Sequence, residues 1–108
     1  MLRFYVLSVT VGASASQDTY IAPEKDIRVK KIMVSERSGA DLYNVFLKID
    51  IQGDNITRQD IPAWILNQTW NRCPPLEFNL PGGVKLNFTV TNNTASSIDI
   101  DIIIAYED

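Results

Sequence analysis

Leu76-Glu77-Phe78-Asn79-Leu80-Pro81-Gly82-Gly83-Val84-Lys85-Leu86-Asn87-Phe88-Thr89-Val90-Thr91, followed by Ile98-Asp99-Ile100-Asp101-Ile102-Ile103-Ile104-Ala105-Tyr106, is the stretch whose reading decides the fold. Leu76, Phe78 and Leu80 alternate with Glu77 and Asn79. Val84, Leu86, Phe88 and Val90 alternate with Lys85, Asn87, Thr89 and Thr91. A period of two belongs to a pleated strand with one face buried, because successive side chains point to opposite sides of the sheet. Pro81-Gly82-Gly83 reads as the turn between two such strands, and the expectation is a hairpin. After a polar turn over Asn92 to Ser97 the same rhythm returns, with Ile98, Ile100, Ile102, Ile104 and Tyr106 facing inward.

The remaining segments carry the same signal with more interruptions. Leu2 to Gly12 is apolar on both parities, which suits a strand covered on both sides. Arg3, the apolar run and Ala13-Ser14-Ala15 also imitate a secretory signal peptide over residues 1–15, although Ser8 and Thr10 break the run. A small-residue loop over Gly12 to Asp18 and a short strand at Thr19 to Ala22 should follow, ending at Pro23. Within Asp26 to Glu36, Ile27 and Val29 share one parity and Ile32 and Val34 the other, so the phase slips at Lys30-Lys31 and a β-bulge is expected there. Asp41 to Ile51 places Tyr43, Val45, Leu47, Ile49 and Ile51 on the inner parity and leaves Leu42 and Phe46 on the outer one. Gly53-Asp54-Asn55 reads as a hairpin turn. Ile56 to Pro75 is the least regular part, with room for one helical turn or a short edge strand at Ile61 to Leu66.

Thirteen Ile, eight Val and seven Thr fill 28 of the 108 positions, and these stiff β-branched side chains favour strands over helices. Eight or nine short strands with turn signals between them describe a single all-β domain over residues 1–108: an antiparallel β-sandwich of jelly-roll-like type, with a Greek-key barrel as the alternative that periodicity does not separate.

Composition narrows function by removal. There is no histidine and a single cysteine, so Ser-His-Asp triads, Cys-His dyads, histidine metal sites and an intrachain disulfide are gone. A net charge of -3 and a pI near 4.8 argue against nucleic acid, which needs a basic footprint. No apolar stretch approaches the roughly 20 residues of a spanning helix, so no membrane insertion is expected. Asp99 and Asp101, with Glu107 and Asp108 beyond, are better read as the wet face of a strand than as ligands, and Asp50, Asp54 and Asp60 likewise lack an oxygen-ligand loop. No catalytic residue, cofactor or metal is expected. Arg28, Lys30 and Lys31 read as a solvated or edge-guarding cluster, and Cys73 as a small buried hydrophobe.

The candidates for function are therefore surface features. Outward-facing Leu42 and Phe46, with Trp64, Ile65, Leu66 and Trp70 of the irregular connection, are candidate interface residues, since buried aromatics dominate many contacts. Trp64 and Trp70 are alternatively a plug at one end of the sandwich or a platform for sugar rings. Asn55-Ile56-Thr57, Asn67-Gln68-Thr69, Asn87-Phe88-Thr89 and Asn92-Asn93-Thr94 fit the N-glycosylation pattern, so Asn55, Asn67, Asn87 and Asn92 are candidate glycan sites and point to an exterior location.

Ile21-Ala22-Pro23-Glu24-Lys25-Asp26-Ile27-Arg28-Val29-Lys30-Lys31-Ile32, then Leu76 to Leu86 with its Pro81-Gly82-Gly83, and Thr91-Asn92-Asn93-Thr94 resemble small β-sandwich virion proteins of prokaryotic viruses over nearly the whole chain. The resemblance implies a capsid, capsid-decoration, turret or tail-adaptor subunit in the virion shell or on its exterior. Its partners would be copies of itself and other virion proteins.

Overall fold

The computed structural model describes residues 1–52, 54–57 and 59–108. Nine strands among them are β1 (Leu2–Val11), β2 (Ala15–Ile21), β3 (Ile27–Glu36), β4 (Val45–Ile51), β5 (Asp54–Asn55), β6 (Ile61–Pro62), β7 (Phe78–Leu80), β8 (Leu86–Asn92) and β9 (Ile98–Glu107). They form two antiparallel sheets. One runs β1-β9-β3-β7; the other runs β2-β8-β4-β5, with β6 also paired to β4. The chain changes sheets at every step except β4 to β6, which stay in one sheet, and the last strand returns beside the first, so the chain winds as a jelly roll.

The alternation that suggests strands also fills the core. Ile98, Ile100, Ile102 and Ile104 on β9 face Leu86, Phe88 and Val90 on β8 and Val45, Leu47 and Ile49 on β4, all buried. The expected bulge is present: the β3–β9 register shifts between Val29 and Lys31, which returns Ile32 and Val34 to the buried face after Ile27 and Val29. The Ile61 to Leu66 segment satisfies both expectations in turn, with a two-residue edge strand followed by a 3-10 turn at Ala63–Leu66. The hairpin expected at Gly53-Asp54-Asn55 forms, but Asp54 and Asn55 belong to its second strand, paired with Ile51 and Asp50, and not to the turn, while Gly53 lies outside the described residues.

Four local expectations are corrected. Leu80 and Leu86 flank the Pro81-Gly82-Gly83 turn, but β7 pairs with β3 and β8 pairs with β2 and β4, so this is an arch between sheets and no hairpin. Either connection shows the same alternation, because in both cases each strand turns one face to the core. The loop expected over Gly12 to Asp18 is only a tight corner: Ser14 takes φ 55 and β2 begins at Ala15. Tyr43 is exposed and Leu42 is buried, because a turn closed by the Val45 N–H donating to the Leu42 carbonyl resets the phase before β4 starts. Finally, β1 is covered on one face only, as described below.

The arch is locked by its glycine. Gly82 N–H donates to Asp26 Oδ1 at 2.7 Å, and a Cβ at this position would stand 2.5 Å from the Glu24 carbonyl oxygen. That neighbour is main chain and yields only by moving the Pro23–Asp26 loop. Gly82→Ala should therefore lower stability by about 1–3 kcal/mol in chemical unfolding. Gly12→Ala, whose Cβ would meet nothing closer than 3.9 Å, should be neutral or slightly stabilising.

Candidate functional site

The register of the four-stranded sheet sorts its outer face into cross-strand rows. Phe4, Ala105 and Lys31 form one row, and Val6, Ile103 and Met33 the next. Ser8, Asp101 and Ser35 follow, then Thr10 beside Asp99. The face is thus apolar over its first half and polar over its second.

In the polar half the carboxylates are engaged. Asp99 accepts the Thr10 hydroxyl at 2.7 Å, and Asp101 accepts Ser8 at 2.7 Å and the Arg37 guanidinium at 3.2 Å. Glu36 accepts the Ser38 hydroxyl and the main-chain N–H groups of Ser38, Ala40 and Asp99, tying the β3 end to β9. These bonds, that of the Ser38 hydroxyl foremost, hold its carboxyl down at about 2. Because the folded value lies below the ordinary 4.5, the stabilisation is complete above about pH 4.5 and is lost as pH falls toward 2. Glu36→Gln should cost about 1–2 kcal/mol at neutral pH, a figure already reduced for solvent screening, and should flatten acid unfolding between pH 4.5 and 2.

In the apolar half, Leu2, Phe4 and Val6 are 40, 53 and 59% exposed, on the edge strand of the sheet. Trp70 reaches this face from the irregular connection. Its ring meets Phe4 edge-on at 6.4 Å, the Lys31 ammonium lies over it at 4.5 Å, and Lys31 donates to its carbonyl. Ala105, the small residue between Phe4 and Lys31 in the row, is fully buried under this arrangement.

The sequence-derived candidates are dispersed. Trp70 and Trp64 are both exposed, but Trp64 pairs with exposed Tyr43 at 6.4 Å while Trp70 pairs with Phe4, so the two tryptophans have separate partners. Phe46 lies half-buried on the outer face of the five-stranded sheet, opposite Thr91 and Pro62. Ile65 is half-buried against the core. Leu42 and Leu66 are core residues and no interface: the turn before β4 carries Leu42 inward, and the 3-10 turn points Leu66 inward with Ala63. Cys73 is buried, its thiol donates to the Ile32 carbonyl, and burial pushes its pKa up.

Among the glycan candidates, Asn55 and Asn67 are exposed, and Asn87 sits half-buried on an outer face with its amide on Asp50. Asn92 is corrected. It is completely buried at the end of β8, its Nδ2 donates to the carbonyls of Val11, Gly12 and Ser96, and its Oδ1 accepts from the N–H and hydroxyl of Thr94. Its Asn-x-Thr spacing is the spacing of a side-chain-braced turn, and a glycan on Nδ2 would break that brace.

What sequence reading missed is the β1 face: Leu2, Phe4 and Val6 with Met33 and Ile103. A strand apolar on both parities marks either a covered strand or an edge with an unpartnered face, and the pattern is identical. Among the described residues, no group of three or more His, Cys, Asp or Glu side chains is placed to hold a metal. No helix of the described chain is long and apolar enough to cross a membrane. No protein-family model matches the chain, and no curated protein matches it.

Proposed function

We propose that the protein is a non-enzymatic structural subunit of a virion, assembling with copies of itself and other virion proteins through protein–protein contacts. The observation that carries this reading is the exposed apolar half-face of Leu2, Phe4 and Val6 on an otherwise well-patterned chain. Contiguous exposed apolar surface marks an interaction site. The jelly roll is a fold that capsid proteins use, and the resemblance of the chain to small virion proteins points the same way. Asn55 and Asn67 are exposed, and glycans there would suit an exterior position. In purified virus particles the protein should be present at fixed stoichiometry by quantitative mass spectrometry; its absence from particles would overturn the proposal.

A second reading is carbohydrate binding or adhesion, favoured by the exposed Tyr43–Trp64 pair and by the use of jelly rolls in lectins. Trp64 with Tyr43, and not Trp64 with Trp70, would form its platform. Glycan-array binding that Trp64→Ala abolishes and Trp70→Ala spares would promote this reading over the first.

A further inference from the structure

We propose that β1 is a homotypic docking edge: two copies join by antiparallel β1–β1 pairing about a two-fold axis, merging two four-stranded sheets into one of eight strands. The inference rests on the assembly reading above and names its partner and geometry.

Edge strands are ordinarily blunted by brevity, bulges, proline or lysine, because a bare row of N–H and C=O groups recruits other strands. None of these devices protects β1. It is ten residues long, its register with β9 is unbroken over all ten, and it holds no proline or lysine. Its one charge, Arg3, stands near its start and is engaged by Asp108 at 3.1 Å. On the inner face Tyr5, Leu7 and Val9 pack against the core yet remain only partly buried. On the outer face Leu2, Phe4 and Val6 are open. A strand added at this edge would cover both rows at once.

A second copy of β1 fits that role better than any other edge of the molecule. β7 has three residues, and β5 and β6 have two each. β2 is longer, but its exposed Ser16, Gln17 and Asp18 are polar on both parities and include a carboxylate, so that edge has no apolar row to bury. Antiparallel pairing of β1 with itself, centred on Val6, sets Tyr5 against Leu7 twice on the inner face and, on the outer face, Val6 against its own mate with Phe4 opposite Ser8 and diagonal to the second Val6. Outer residues meet outer and inner meet inner, as the period of two demands. A ten-residue strand is about 34 Å long, and with about 10 Å across the sheet the edge covers on the order of 350 Å² per copy, about 700 Å² over the pair, the size of a weak contact that repetition in an assembly strengthens.

The test is the oligomeric state of the whole chain by sedimentation equilibrium, alongside hydrogen exchange at the β1 amides. Wild type should dimerise, with free-edge β1 amides slowing as concentration rises. Val6→Lys, at an exposed position, should keep its fold by circular dichroism and weaken dimerisation at least about tenfold. A dimer that survives Val6→Lys, or one whose β1 amides exchange as fast as in the monomer, would overturn edge pairing while leaving assembly by another face intact. A wild type that stays monomeric at high concentration would also overturn it, and the presence or absence of the protein in virus particles then decides the broader reading separately.

Discussion

Replacing Asn92 by alanine is expected to remove about 2–5 kcal/mol of stability, a large part of the 5–15 kcal/mol typical of a domain of this size. The side chain joins the end of β8, the corner between β1 and β2 and the turn into β9. Its Nδ2 donates at 2.8 Å to the Ser96 carbonyl, and at 3.1–3.2 Å to Gly12 and Val11 at the corner between β1 and β2. Its Oδ1 accepts the Thr94 N–H at 3.0 Å and orders the turn into β9. Alanine would leave several of these buried groups without a partner, and an unsatisfied buried group costs more than a hydrogen bond contributes. Asn92→Asp separates this account from a packing effect. At neutral pH it sets a carboxylate against three carbonyl oxygens, so the carboxyl's folded pKa lies above its unfolded value. The destabilisation should be full at neutral pH and should shrink as pH falls toward the ordinary aspartate value near 4, where the protonated oxygen again donates. Urea unfolding of both variants at pH 7 and pH 4 checks this: Asn92→Asp should recover relative to wild type and Asn92→Ala should not.

Asn92 also shows where reading the chain succeeds and where it stops. Strand identity follows from side-chain period, and Ile98 to Ile104, Leu86 to Val90 and the Lys30-Lys31 bulge are all visible that way because burial of one face is a local property of the pleat. Sheet membership is not local. The Pro81-Gly82-Gly83 turn joins strands in opposite sheets and packs Gly82 against the Glu24 main chain, 58 residues away in sequence, where no local pattern could show it. Leu42 and Tyr43 exchange places because a single turn shifts the phase by one residue. Asn92 reads as a surface sequon because its burial depends on carbonyls from a distant corner. The β1 face was hidden for a further reason: its composition is that of a central strand, and only the sheet order places it at an edge.

That ambiguity can be settled with one residue type at two positions. Phe88→Ala should cost about 3–5 kcal/mol, among the largest effects of any apolar substitution in this chain. Phe88 is the largest fully buried side chain, set between Thr19 of β2 and Ile49 of β4 in the register and facing the isoleucine row of β9 across the core. Removing the ring takes away its transfer free energy and leaves a cavity whose walls, held in two hydrogen-bonded sheets, relax only partly. Phe88→Leu should cost much less, because most of the volume remains. Phe4→Ala removes the same ring from another strand of alternating pattern, but Phe4 is 53% exposed and its described ring contact is a T-shaped one with Trp70. The expected loss of monomer stability is about 0.5–1.5 kcal/mol, the worth of an aromatic pair. Its larger effect should fall on association, since Phe4 lies in the apolar row that a second β1 would cover. Unfolding and sedimentation on both variants should therefore give opposite orders: Phe88→Ala unstable but still able to pair where folded, Phe4→Ala stable and monomeric. A strongly destabilised Phe4→Ala that still dimerises would mean that β1 is a core strand after all, and that the surface holding copies together lies elsewhere.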